Sequence, residues 1–234
     1  SAFAWYRTRI VLPTNGMGTL HFQGGDDLEF YLNGRSVVSE KDRCTAEFSA
    51  GTNFLAVFAS HHGRNKNYNY LGSLVDRDNK GLWGRFTLEF KQQSRDVLGW
   101  RMRGGVNQDR LAIRHWQPLA NPPSGPAFFR TTFQATPPEK LGAHPIWRVN
   151  YKGLTRGTFW INGHNLGRYP EKINIDSLYV PECWLRKGSN ELIVFDEAGA
   201  VPEQISLISE KAAGREVLVA DQPAAESALI QLPE

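Results

Sequence analysis

The chain has 234 residues, of which 41% are hydrophobic and 12% aromatic, enough to fill ordinary cores and to exclude wholesale disorder. Its 27 basic and 24 acidic residues leave a formal net charge of +3 with no concentrated basic stripe, so nucleic acid is set aside as a partner. No apolar run reaches the ~18 residues of a membrane span, which sets the membrane aside too. The opening Ser1-Ala2-Phe3-Ala4-Trp5 lacks the charged-then-apolar plan of a signal peptide, and the absence of an initiating Met suggests a trimmed chain. Cys44 and Cys183 allow at most one disulfide, and nothing in the sequence shows that they meet.

Glycines and prolines, 22 and 13 of them, recur between short apolar runs, which suits many tight turns and an all-β reading. In chain order, Trp5-Tyr6-Arg7-Thr8 opens an extended segment and Leu28 to Leu32 runs into Asn33-Gly34. Ala50-Gly51-Thr52-Asn53 then precedes Phe54-Leu55-Ala56-Val57-Phe58. Alternation puts Leu28, Phe30 and Leu32 on one face of a strand and Glu29 and Tyr31 on the other. Asn-Gly accepts the positive φ values of a type I′ turn, so Asn33-Gly34 predicts a hairpin.

The same order returns further on. Phe128-Phe129-Arg130-Thr131 opens a segment, and Thr158-Phe159-Trp160-Ile161 runs into Asn162-Gly163. Lys187-Gly188-Ser189-Asn190 then precedes Leu192-Ile193-Val194-Phe195. The offset of roughly 125 to 135 residues far exceeds a solenoid period of ~20–50, so two copies of one domain are expected. The proline-rich stretch from Gln117 to Pro126 reads as a semi-rigid linker. The expected organisation is a first sandwich over 1–117, a linker over 118–126, a second sandwich over 127–210, and a tail or single added strand over 211–234.

The second copy resembles a known family through an ordered series of motifs. These are Phe129-Arg130-Thr131-Thr132-Phe133, Gly157-Thr158-Phe159-Trp160-Ile161-Asn162-Gly163-His164-Asn165-Leu166-Gly167-Arg168-Tyr169, Leu178-Tyr179-Val180-Pro181-Glu182-Cys183-Trp184-Leu185, Gly188-Ser189-Asn190-Glu191-Leu192 and Phe195-Asp196-Glu197. Together they are similar to the last jelly-roll domain of family 35 β-galactosidases. In the first copy, Gly63-Arg64, Asn67-Tyr68 and Lys80-Gly81-Leu82 look like a loop and strand of the same family, although Asn69-Tyr70-Leu71-Gly72 departs from its pattern. The resemblance covers residues 3 to 208. It implies tandem antiparallel β-sandwiches of the jelly-roll, galactose-binding-like kind, and slightly favours a secreted or periplasmic setting. Family members cleave terminal β-galactose with two glutamates on a (β/α)₈ barrel, which this sequence lacks. A retaining glycosidase needs paired carboxyls ~5 Å apart, and none of Glu182, Glu191 and Glu197 matches a catalytic glutamate.

Sugar sites pair an aromatic platform with fixed donors and acceptors, and the stretch from His61 to Tyr70 supplies both. The candidate carbohydrate-binding residues are His62, Arg64, Asn67, Tyr68, Asn69 and Tyr70, with Trp83 as an extra platform. The competing reading is a structured loop whose asparagines cap turns and whose tyrosines half-bury. Tyr31 and Trp160 face away from their inward rows, to be covered by a second layer or domain, lie under a catalytic barrel, or form a sugar platform. His164, Arg168, Tyr169 and Trp184 are further candidates for contact with a barrel or neighbouring domain. Arg168 is expected either to hold a carboxylate or sugar hydroxyl, or to brace a loop or stack on an aromatic neighbour, Tyr169 or Trp184.

No cofactor is expected. Asp76-Arg77-Asp78-Asn79-Lys80-Gly81 begins like a calcium loop but lacks the glutamate and flanking helices of an EF-hand, and reads as a turn, with a structural calcium of a sandwich domain as the alternative. The histidines and cysteines show no zinc spacing. The leading expectation is a non-catalytic module that packs on a (β/α)₈ catalytic domain, supports it and helps to shape the substrate entrance. The alternatives are a free-standing binding module for galactose-containing glycans and a protein–protein interaction sandwich.

Overall fold

A computed structural model describes residues 3–25, 27–61, 79–105, 115–136, 146–170, 175–211, 214–218 and 226–229. All regular structure among them is antiparallel β, apart from one 3₁₀ turn at Glu182–Trp184. The chain divides into two compact units, Ser1–Arg110 and Leu111–Glu234.

The first unit contains β1 (Phe3–Leu12), β2 (Gly16–Gly25), β3 (Asp27–Leu32), β4 (Arg35–Val37), β5 (Arg43–Phe48), β6 (Gly51–Ser60), β7 (Gly81–Phe90), β8 (Gln93–Asp96) and β9 (Arg101–Gly104). They form a five-stranded sheet ordered β4-β3-β6-β1-β9 and a four-stranded sheet ordered β5-β2-β7-β8. The core lies between the sheets. Ile10, Leu12, Phe30, Leu32, Leu55 and Val57 of the first meet Leu20, Phe22, Phe48, Phe86, Leu88 and Phe90 of the second. Cys44 is buried in this core and Cys183 is exposed, and both thiols are free.

The second unit contains β10 (Gln117–Pro118), β11 (Ala127–Ala135), β12 (Ile146–Asn150), β13 (Gly157–Ile161), β14 (His164–Tyr169), β15 (Ser177–Val180), β16 (Gly188–Asp196), β17 (Leu207–Lys211), β18 (Gly214–Leu218) and β19 (Glu226–Leu229). Its sheets are ordered β10-β19-β11-β16-β13-β14 and β15-β12-β17-β18. Apart from β10, both orders repeat those of the first unit strand for strand. The core again lies between the sheets, with Phe129, Phe133, Phe159, Ile161 and Val194 opposite Trp147, Val149, Val180 and Leu207.

Two sequence expectations change here. The segment beyond residue 210 was expected to give at most one strand, yet β18 pairs with β17 and β19 pairs with β11. Their apolar groups are too short to stand out, and each strand is completed by its neighbour's ladder. Gln117–Pro118, expected as linker, forms the two-residue edge strand β10 against β19, a place where proline's missing N–H costs no central hydrogen bond.

Each Asn-Gly reversal is pinned by a distant asparagine. Asn33 and Asn162 sit at φ 52° and 48°, followed by Gly34 and Gly163 at 78° and 85°, as a type I′ turn requires. Asn162 Nδ2 donates to Asn190 Oδ1 at 2.8 Å, and Asn33 Nδ2 donates to Asn53 Oδ1 at 3.0 Å. In return, Glu191 N–H donates to Asn162 Oδ1 at 3.0 Å and Phe54 N–H to Asn33 Oδ1 at 2.8 Å. Asn190 also closes its own turn, accepting from Arg186 N–H at 2.7 Å and donating to the Arg186 and Gly188 carbonyls at 2.8 Å each. Asn53 does the same at the Ser49 carbonyl and N–H. Both asparagines are buried, so the amide–amide bond locks one hairpin to the next in each unit.

Candidate functional site

The second unit's edge hairpin carries the candidates Trp160, His164, Arg168 and Tyr169. Strand β14 pairs with β13 through a register shift between Phe159 and Trp160. Gly167 takes φ 105° there, a conformation a side chain would strain, and its N–H is held by Asn165 Oδ1 at 2.7 Å. This bulge aims successive side chains of β14 at three different tasks.

His164 is exposed and lies flat on Trp184, with ring centroids 4.9 Å apart and planes 12° from parallel. Trp184 belongs to the 3₁₀ turn, whose position is fixed when Asn162 Nδ2 donates to the Trp184 carbonyl at 2.7 Å. Beside it, Tyr179 Oη donates to Glu182 at 3.1 Å.

Arg168 takes the bracing role by holding a carboxylate. Its Nη2 donates to Glu197 Oε1 at 2.8 Å, while Arg156 Nε donates to Glu197 Oε2 at 2.6 Å. Glu197 is only 1% exposed, so its charge is supportable because two guanidinium groups face it. The neighbouring Asp196 is fully buried. Its Oδ2 accepts from Thr155 N–H at 2.9 Å and Tyr169 Oη at 3.0 Å, and its Oδ1 accepts from Thr155 Oγ1 at 2.8 Å and the Ala198 and Ala200 amides at 3.0 and 2.9 Å. Both carboxylates are occupied in tying the loop after β16 to the segment before β13. The sequence placed Asp196 and Glu197 in a motif without giving them this role. The available signal was two acids ending an apolar run with no turn residue between.

Tyr169 and Trp160 are not available to a docking partner or a sugar as surface groups. Tyr169 is buried against Phe159 and Tyr151, and burial, then Asp196, raises its hydroxyl well above the ordinary phenol range. Trp160 is 2% exposed and lies near Phe128, on the sheet face opposite the core. Tyr31 occupies the equivalent place in the first unit, half-buried beside Trp5 and donating to Glu29 at 2.8 Å. Burial and then Glu29 raise its pKa also.

Of the first unit's sugar-binding candidates, His62, Arg64, Asn67, Tyr68, Asn69 and Tyr70 lie outside the described residues, as do Asp76 to Asp78. Trp83 is described and is 42% exposed on β7, opposite Gln23 where β2 and β7 lose register. It therefore presents a large apolar surface to solvent. Among the described residues no group of three His, Cys, Asp or Glu side chains is placed to hold a metal ion.

Residues 126–190 match the family model described as the galactose-binding domain of beta-galactosidase. Human beta-galactosidase-1-like protein 2 is 31% identical over 159 residues, covering 65% of this chain and 22% of that protein. Rice beta-galactosidase 6 is 23% identical over 267 aligned positions, covering 90% of this chain and 30% of that protein. The chain therefore spans under a third of the length of these relatives. A lectin from Pleurotus ostreatus aligns over 97% of this chain and 77% of its own at 15% identity, but its TM-score of 0.32 carries no argument. The resemblance read from the motifs is borne out by the family match and by these relatives.

Proposed function

We propose that this chain is a non-catalytic accessory module of a β-galactosidase-type glycoside hydrolase, packing on and supporting a (β/α)₈ catalytic domain. The observation that carries the reading is the match of residues 126–190 to a β-galactosidase galactose-binding domain, in a unit whose buried carboxylates act as structural acceptors. Asp196 and Glu197 brace the loop after β16, so the hairpin they hold is rigid enough to serve as a docking element. Exposed His164, stacked on the half-buried Trp184 of the 3₁₀ turn, is the part of that region available to a partner. The test is to produce this chain and the catalytic barrel of its parent separately and mix them. Association on a sizing column with a rise in the barrel's thermal stability supports the role; no association and no change in activity or stability refutes it.

A second reading, a binding module for galactose-containing glycans, is favoured by the family description and by the exposed indole of Trp83. A pyranose stacked on such a ring is held chiefly through its apolar face. Calorimetric titration with galactosides would show heat that Trp83→Ala removes. No heat with the unmodified chain, or equal affinity in the variant, rejects the Trp83 platform.

A further inference from the structure

Three asparagines stand directly before a glycine, Asn15, Asn33 and Asn162, and that pairing is chemically reactive. Glycine has no Cβ to shield its nitrogen, which can attack the side-chain carbonyl carbon of the residue before it. A bond forms from the glycine nitrogen to Cγ, the Cγ–Nδ2 bond breaks, and the amide nitrogen leaves as ammonia with the glycine's proton. Water then opens the cyclic imide, giving aspartate when Cγ takes the oxygen and isoaspartate when the main-chain carbonyl carbon takes it. The net exchange consumes water and releases ammonia, and no redox partner is needed.

The two hairpin asparagines are held against this reaction. Asn33 and Asn162 donate their main-chain N–H groups to the Phe54 and Glu191 carbonyls at 2.8 and 3.0 Å. Each amide nitrogen is tied to a buried asparagine, and that of Asn162 also reaches the Trp184 carbonyl at 2.7 Å. A type I′ turn, with ψ of about +30° at its first central residue, further sets the next nitrogen roughly opposite the residue's own Cβ, where no ring can close. Asn15 is placed differently. It is exposed, stands immediately before β2, and lies outside the left-handed region that Asn33 and Asn162 occupy. Its amide oxygen accepts from the Ala50 N–H at 2.6 Å, and among the described residues its amide nitrogen has no hydrogen-bond partner. A main-chain donor polarises the amide carbonyl in all three asparagines, so activation does not separate them. The leaving nitrogen is unheld in Asn15 alone of the three.

We propose that Asn15-Gly16 is a modification site of the native chain, where deamidation yields aspartate and isoaspartate, while Asn33-Gly34 and Asn162-Gly163 stay intact until the unit carrying them unfolds. The amide of Asn15 ties the turn before β2 to the turn before β6, and Gly16 opens the β2–β5 ladder opposite Phe48. Isoaspartate adds a main-chain carbon at this point and so loosens both contacts. Trp83, His164 and Trp184 take no part, so the site is independent of both readings above.

The test holds the whole chain in mildly alkaline buffer, natively and in urea, and follows the three positions over time by peptide fragmentation mass spectrometry. In the native chain Asn15 should convert at least about tenfold faster than Asn33 or Asn162, because reaction at those two waits on the breaking of two or more side-chain hydrogen bonds. In urea the ratio should fall towards unity, since the flanking sequence then decides alone. Asn190→Ala, which releases one bond on the Asn162 amide nitrogen, should raise the Asn162 rate by about two- to tenfold and leave Asn15, in the other unit, unchanged. The native-to-urea comparison needs no variant and stands whether or not this one folds. An intact Asn15 in native buffer, native conversion of Asn33 or Asn162 at an equal or higher rate, a ratio that urea leaves unchanged, or an unchanged Asn162 rate in folded Asn190→Ala overturns the proposal.

Discussion

Replacing Asn190 with alanine removes the bond that locks the β13–β14 turn to β16. Asn190 is 1% exposed and makes four hydrogen bonds of 2.7–2.8 Å, two to the Arg186 backbone, one to the Gly188 carbonyl and one from Asn162. Each is worth about 0.5–1.5 kcal/mol net, and partners left buried without water cost more. Because Arg186 and Lys187 are exposed, water can reach part of that turn, which argues for the lower half of the range. The expected loss is about 3 kcal/mol. At a urea dependence of about 2 kcal/mol/M for a domain of this size, the second unit's midpoint should fall by about 1.5 M. Urea unfolding followed by tryptophan fluorescence and circular dichroism reads it directly. Asn53→Ala should produce a comparable loss in the first unit, since it makes the equivalent bonds. A shift below about 0.3 M in both would refute the idea that the paired asparagines hold the hairpins.

Other outcomes follow from the same structure. Arg168→Ala leaves Glu197 paired with Arg156; with Arg168 itself 30% exposed, the loss should be about 1–3 kcal/mol, and Arg168→Ala with Glu197→Gln should recover part of it in a denaturation series. Gly157→Ala should prevent stable folding of the second unit, because a Cβ there would run into the Phe195 carbonyl and the Tyr169 hydroxyl; normal soluble yield with native dichroism would contradict this. Cys183 is exposed, whereas burial pushes the Cys44 thiol up to about 11, so iodoacetamide at neutral pH should modify one cysteine in the native chain and two in urea, as read by mass. Tyr169 and Tyr31 have raised folded pKa values, so the stability they contribute is present below the unfolded phenol value of about 10 and is lost as pH rises beyond it. Alkaline titration of the melting temperature should show this fall, and Tyr169→Phe should flatten it.

The local rules of β structure made much of the fold readable. Leu28, Phe30 and Leu32 alternate with Glu29 and Tyr31 as expected, and the two Asn-Gly pairs form the hairpins they predict. The hidden part is non-local. Asn162 and Asn190 are 28 positions apart, and neither periodicity nor propensity couples them. Their pairing was legible only as a coincidence, since both copies carry an Asn-Gly and a later glycine–x–asparagine. Arg168 was expected to hold a carboxylate or to brace a loop or stack on a ring; that the carboxylate is Glu197, 29 positions away, is a non-local fact the sequence pattern could not supply. The burial of Tyr169 depends on its phenol reaching the Phe195 carbonyl and Asp196, which residue type alone cannot reveal. The tail was expected to give at most one strand and gives β18 and β19, because their sequences are short and mixed and their stability comes from the ladders they join.

The proposed role is that of a supporting module that does not itself cleave galactosides. Its most direct test is to incubate the purified chain with a chromogenic β-galactoside and follow release of the chromophore against buffer. Release indistinguishable from the blank at high protein concentration is predicted. Hydrolysis that scales with the amount of chain and disappears when the chain is unfolded would contradict it.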